Sequence, residues 1–228
     1  MLKSLNDKIY LCFNKLAMKF IKLNIELTQV KVPNKRTILI PADYTMINLH
    51  NCIQTLYWLF NYHLRDFCRN AKGKKRILVQ SKDEIEATAE EYWLSPDTDY
   101  LEAEKVTIAD FFNEENKKAV YNYDYWANNE RIVTYKWETE KDWKYPVCLK
   151  SIWHLIIEDE PSWMSEEWHE IYEKNDKKAF DKKNDEFGNP YKRKNFKDMM
   201  AALYEDSDCE TLSHEMYFHW DDEINDLE

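Results

Sequence analysis

Only two glycines occur in 228 residues, Gly73 and Gly188. Phosphate-cradling loops and the strand-to-helix elbow of a nucleophilic serine each need several, because positive φ and close backbone approach are hindered by a Cβ. The scarcity argues against Walker-type nucleotide binding, Rossmann dinucleotide binding and α/β-hydrolase chemistry. Cysteine is sparse as well. Cys12, Cys52, Cys68, Cys148 and Cys209 are scattered, odd in number and without a C-x-x-C pair. They read as reduced thiols, not as a disulfide frame or a zinc knuckle. No uninterrupted apolar run approaches the length of a membrane span. Lys3, Asp7, Lys8, Lys15 and Lys19 interrupt the N-terminus, which excludes a signal peptide reading. The expectation is a cytoplasmic protein with no membrane association and no cofactor.

Basic residues are absent from one whole region. Asp198 to Glu228 holds eleven acids and no Lys or Arg. The remaining 32 of the 43 acids balance the 32 Lys and Arg of residues 1–197, so the tail carries all of the net charge of −11. Phosphate binding needs a basic face, so direct duplex nucleic acid binding is not expected. The basic clusters Lys72–Arg76 and Tyr191–Lys194 are short and offset by acids elsewhere.

What the chain has in abundance is aromatic side chains, 15% of its residues. Such a content supports a large buried apolar area. The run FIKLNIELT alternates, with Ile21, Leu23, Ile25 and Leu27 on one side, and predicts a half-buried strand. A Pro-Asn turn follows, then TILI as a second strand ended by Pro41. Asp43 or Thr45 is placed to cap a helix in which Met46, Leu49, Ile53, Leu56, Tyr57 and Phe60 recur at helical spacing. HLRDFC and KRILVQ predict short strands, residues 81–105 an acidic loop with some helix, and TIADFF a capped helical turn. An aromatic hairpin is expected next. It places Ala119, Tyr121, Tyr123 and Tyr125 on one face of its first strand, and Val133, Tyr135 and Trp137 on one face of its second. From about residue 160 the spacing is helical. The expected fold class is α+β: a β-grasp-like mixed sheet with one packed helix, followed by a helical C-terminal region. The expected division is an N-terminal extension (1–18), an α+β domain (19–157) and a helical acidic region (158–228).

The landmarks Pro41-Ala42-Asp43, Leu49-His50, Ile53-Gln54, then His63-Leu64 and Phe67, then Tyr121, Tyr123-Asp124-Tyr125, then Tyr145-Pro146, Cys148 and Glu158-Asp159 come in a recognisable order. In that order they resemble the plasmid pRiA4b ORF-3-like family, also labelled transposon-passenger TnpR-like. The resemblance spans roughly residues 20–165. It implies an α+β fold of β-grasp character and no assigned activity. The family pattern reads Y-x-Y-D-F-G-D followed by W-x-H. This chain reads YNYDYWANNERIV and lacks the Gly, the second Asp and the His.

Several residues are candidates for chemistry. His50 and His63 are a possible metal or acid–base pair; the plainer reading has His50 supporting helix–strand packing and His63 bonding a backbone carbonyl. Asp124 is a third catalytic candidate, and with Glu158 and Asp159 it could gather carboxylates around a divalent cation. A solvated surface position is the competing reading, and no metal site is assigned. In LSHEMYFHWDDE, His214 and His219 are five apart, so on a helix they point away from each other and cannot share a metal as an i, i+4 pair can. The same segment supplies Tyr217, Phe218, Trp220, Asp221 and Asp222 as candidate partner-binding residues. Cys148 and the aromatics Trp58, Tyr121, Tyr123, Tyr135 and Trp137 read as core. The function expected is a non-enzymatic protein-interaction module of mobile-element or phage-related origin with a protein partner. The alternatives are an acidic mimic of nucleic acid that inhibits a DNA- or RNA-binding defence enzyme, and a divalent-metal-dependent hydrolase or nuclease.

Overall fold

A computed structural model describes residues 17–28, 34–57, 59, 61–70, 75–91, 94–127, 129–142 and 144–152, with scattered positions between 170 and 182. The predicted alternation of the first run is met in β1 (Met18–Leu27), whose Ile21, Leu23 and Ile25 are fully buried. β2 (Lys35–Pro41) pairs back antiparallel, setting Ile21 opposite Ile40 and Leu23 opposite Ile38. The α1 helix (Met46–Tyr57) follows and buries Met46, Leu49, Ile53 and Leu56 against these strands. Asn48 Oδ1 accepts from both the backbone N–H and the hydroxyl of Thr45 at 2.9 Å. The N–H groups of Met46 and Ile47, orphaned by position at a helix start, donate to the carbonyls of Val106 and Ala103.

β3 (Arg65–Asn70) and β4 (Arg76–Gln80) pair antiparallel. After them α2 (Lys82–Glu91) crosses over to β5 (Thr98–Glu102), which lies parallel to β4. This crossover replaces the acidic loop expected over 81–105, since a parallel neighbour needs a long connection. Thr107 caps the short α3 (Ile108–Phe111) by accepting from the Asp110 N–H at 3.1 Å. The aromatic hairpin is β6 (Lys118–Tyr123) and β7 (Asn129–Lys141), and β8 (Val147–Ile152) closes the far edge beside β2.

These eight strands form one mixed sheet in the order β5-β4-β3-β6-β7-β1-β2-β8. The fold expectation is corrected here. The α+β class stands. Among the described residues, however, the architecture is a large eight-stranded sheet with the helices α1, α2 and α3, and not a small β-grasp sheet followed by a helical region. The edge strand β8 occupies the segment after Pro146, where the sequence pattern changes, and β5 is hidden in acidic sequence. Most of residues 158–228 lie outside the described residues. So do residues 1–16, together with Trp58 and Phe60.

The core is continuous from α1 and α3 across one face of the sheet. It holds two buried guanidiniums, Arg36 and Arg131, over the ring of Tyr57 at 4.7 and 4.5 Å. A desolvated cation over an aromatic face is held at about 2 kcal/mol. Arg36 also donates to the Leu56 carbonyl at 3.3 Å and to Asn34 Oδ1 at 3.2 Å, placing positive charge at the C-terminal end of α1, where the helix dipole favours it. Trp137 departs from the predicted face. The β1–β7 register shifts so that Tyr135 opposes Leu23 and Trp137 opposes Lys22. The extra residue turns the indole away from the face of Val133 and Tyr135, leaving it 43% exposed beneath the Lys22 ammonium.

Candidate functional site

The C-terminal end of α1, the loop into β3 and the turn after β6 meet at one end of the β3–β6 pair. The β3–β6 register sets Phe67 opposite Tyr121 and Arg65 opposite Tyr123. Tyr121 points into the core beneath α1, where His50 and Gln54 lie one helical turn apart on the buried face. His50 Nδ1 is 2.8 Å from the Tyr121 hydroxyl, and its Nε2 is 2.6 Å from Asn61 Oδ1. Gln54 Nε2 donates to the same hydroxyl at 2.8 Å, and Gln54 Oε1 accepts from the Asn61 N–H at 3.1 Å.

These contacts close a ring, and the ring assigns the protons. Asn61 Oδ1 can only accept, so His50 Nε2 carries the hydrogen. His50 Nδ1 then accepts from Tyr121 O–H, whose oxygen accepts from Gln54. Each of these bonds pairs a donor with an acceptor, as burial demands. Burial holds the His50 imidazole well below its ordinary pKa, assisted by the Arg65 charge, while the bond to Asn61 acts the other way. Burial likewise raises the Tyr121 phenol. A neutral imidazole fixed in one tautomer and enclosed on all sides supports packing. His50 thus lies buried between α1 and β6. The ring also makes His50 a clamp on the loop, because it holds Asn61 in the left-handed conformation at φ 59°.

His63 does not join that ring. Its Nε2 lies 3.8 Å from Asp124 Oδ2, and its ring packs edge-on against Tyr123 at 5.5 Å. Tyr123 also neighbours His50, with centroids 6.5 Å apart, so both imidazoles pack against one phenol ring. Asp124 is buried, not solvated, and sits at φ 57°. Its Oδ1 accepts from the N–H groups of Trp126 and Ala127 at 3.2 Å each, an aspartate turn that reverses the chain into β7. Its own N–H donates to the Leu64 carbonyl at 3.2 Å, tying the two loops together.

The turn overturns the placement of Tyr125 on the Tyr121–Tyr123 face. The left-handed step at Asp124 breaks the alternation. Tyr125 reaches across to β3, and its hydroxyl donates to Asp66 Oδ2 at 2.6 Å. Asn122 Nδ2 donates to Asp66 Oδ1 at 2.9 Å. Burial raises the Asp66 carboxyl pKa in spite of these bonds. Around this framework stands an apolar surface: Trp126 is 98% exposed, Leu64 59%, Tyr62 56% and Tyr125 47%. The sequence pattern singles Trp126 out for neither strand of the hairpin. Its signal is an indole in a turn, a place where no alternation buries it.

Glu158 and Asp159 lie outside the described residues, as do Tyr217, Phe218, Trp220, Asp221 and Asp222. Among the described residues no group of three or more His, Cys, Asp or Glu is placed to hold a metal ion. Cys148 is buried, and burial pushes its thiol pKa up to about 11, in keeping with a core residue. Among the described residues no helix is long and apolar enough to cross a membrane.

The sequence profile of the plasmid pRiA4b ORF-3-like protein family matches residues 19–203. The chain belongs to this family. Its landmark residues His50, Gln54, His63, Phe67, Tyr121, Tyr123 and Asp124 are the ones gathered at this end of the β3–β6 pair. No curated protein matches the chain. Among solved structures it is similar to the crystal structure of a protein of unknown function from Methanosarcina mazei Go1, with 18% sequence identity and a TM-score of 0.53. That likeness covers 89% of this chain and 91% of the archaeal one, and it concerns the fold alone.

Proposed function

We propose that this pRiA4b ORF-3-like protein is a non-enzymatic protein-interaction module of a mobile-element or phage-related system. Its contact surface is the aromatic rim of the loops at 61–64 and 124–127. The observation that carries the reading is Trp126, 98% exposed on a turn that is itself anchored by a buried aspartate. Exposed indoles on rigid supports are the side chains that dominate binding energy at protein interfaces. Tyr125, Leu64 and Tyr62 extend the apolar surface around it. The residue types that could have served catalysis nearby, His50 and Asp124, are instead engaged in holding the two loops. The partner fitting this rim is a protein with an apolar pocket for the indole.

Co-purification from the native host tests the reading. Trp126→Ala is expected to abolish capture of the partner that the wild-type chain retains, with an unchanged unfolding midpoint. Retention of the same partner by a Leu64→Ser, Trp126→Ala double variant would overturn it. So would turnover of nucleic acid or peptide that disappears in Asp124→Ala.

A further inference from the structure

At the other end of the same strand pair the sheet comes apart. The β3–β6 ladder runs from Arg65 opposite Tyr123 to Cys68 opposite Val120 and stops there. β3 continues beside β4 as far as Asn70 opposite Arg76, and β6 continues beside β7 to Lys118 opposite Thr134. The strands therefore splay where Arg69 and Asn70 would have met Ala119 and Lys118. The opened wedge is a cavity of about 360 Å³. That lies within the range of small-molecule sites, roughly 300–1,000 Å³.

The walls of the wedge are cationic. Arg69, Lys117 and Lys118 line it, against the single carboxylate of Glu115, and Asn70 and Asn116 add amides. Lys117 is held by Glu114 at 2.6 Å. Cys68 forms part of the wall and accepts from Arg76 Nε at 2.9 Å, which brings a further guanidinium close behind the lining. The guanidinium of Arg69 lies over the Phe111 ring at 4.6 Å, which restrains its orientation. Its Nε–H is buried and has no hydrogen-bond partner among the described residues. A buried donor without an acceptor is costly and rare in folded proteins. The terminal nitrogens of this planar guanidinium suit a ligand oxyanion in the wedge.

We propose that the wedge between β3 and β6 is a binding site for a small ligand bearing an oxyanion, a carboxylate or a phosphate, held by Arg69 with Lys118. The site is independent of the aromatic rim and stands whether or not the rim docks a protein. Backbone amide NMR of the full chain at low ionic strength tests it, with inorganic phosphate and succinate titrated separately. Saturable shifts confined to 68–70 and 115–120 are expected with at least one of the two. Shifts with phosphate alone assign a phosphate ligand, and shifts with succinate alone assign a carboxylate. Arg69→Gln and Lys118→Gln are each expected to weaken the binding about tenfold, the loss typical of one charge-assisted hydrogen bond. Lys118→Gln replaces a side chain on the sheet rim, so the test survives if Arg69→Gln does not fold. The proposal fails if neither anion shifts these amides up to the millimolar range. It also fails if the shifts do not saturate, or persist unchanged in Lys118→Gln and Arg69→Gln.

Discussion

The two ends of the β3–β6 pair are built from similar materials to opposite effect. At the α1 end, four polar side chains close a ring that pairs donors with acceptors and holds the Asn61 loop, and the Asp124 N–H ties the next loop to it through the Leu64 carbonyl. At the other end, the ladder stops, the strands part and an arginine donor is left without an acceptor among the described residues. Burial is the shared condition, and what differs is whether the chain supplies its own partners. A completed network rigidifies, and an unpaired buried polar group is costly. The same strands thus carry a closed structural end with exposed aromatic side chains at its rim, and an open end lined by cations.

The largest test of this contrast is His50→Ala. It leaves the Tyr121 hydroxyl and Asn61 Oδ1 buried with fewer partners and opens a cavity, so a loss of about 3–5 kcal/mol in urea unfolding is expected. A loss under about 1 kcal/mol would show that the ring is not the lock described here. Next is Trp126→Ala, expected to weaken partner binding by about 2–4 kcal/mol with stability changed by less than about 0.5 kcal/mol. Calorimetry with the co-purified partner and a thermal melt separate the two readouts. Asp124→Ala removes the acceptor of two N–H groups and places a Cβ residue without local bonding at φ 57°, for about 1–2 kcal/mol. Asp124→Asn, which tolerates that conformation, should recover most of the loss in the same assay.

Acid sharpens the comparison further. His50 is neutral in the fold, and its pKa there lies well below 6.5. The unfolded chain takes up a proton near pH 6.5 and the folded chain does not, so stability falls as pH drops below that value. The slope is at most about 1.4 kcal/mol per pH unit. Asp66 acts oppositely: its raised pKa penalises the ionised form at neutral pH, and the penalty is relieved as pH falls through the folded value. The difference in urea midpoint between wild type and His50→Gln, followed from pH 7 to pH 5, isolates the histidine. An unchanged difference would place the imidazole in contact with water. The smallest effect is at the open end, where Lys118→Gln is expected to alter stability by less than about 0.5 kcal/mol while weakening anion binding.

Much of the fold is legible where one periodicity dominates. The alternation of Ile21, Leu23 and Ile25 and the helical recurrence of Met46, Leu49, Ile53 and Leu56 each name a buried face without reference to the rest of the chain. β5 is not legible, because Thr98–Glu102 is a polar edge strand whose pairing partner is β4 and whose sequence shows no alternation of its own. Trp137 and Tyr125 depart from their expected faces for a common reason. A bulge and a left-handed aspartate each advance the pleat by a step that composition does not record. At the candidate site, residue type alone singles out His50, His63 and Asp124. Nothing local marks Asn61, whose role exists only because the loop brings it back to His50.

By itself the sequence determined which faces would be apolar, that glycine-dependent phosphate loops were unavailable, and to which family the ordered landmarks pointed. These are properties of residue type and spacing along one strand or helix. Tertiary structure alone decided that His50 would meet Tyr121, seventy-one residues away, and that β3 and β6 would part at Arg69. Hydrogen-bond completion and strand divergence depend on what stands across the gap, and no local pattern carries that information.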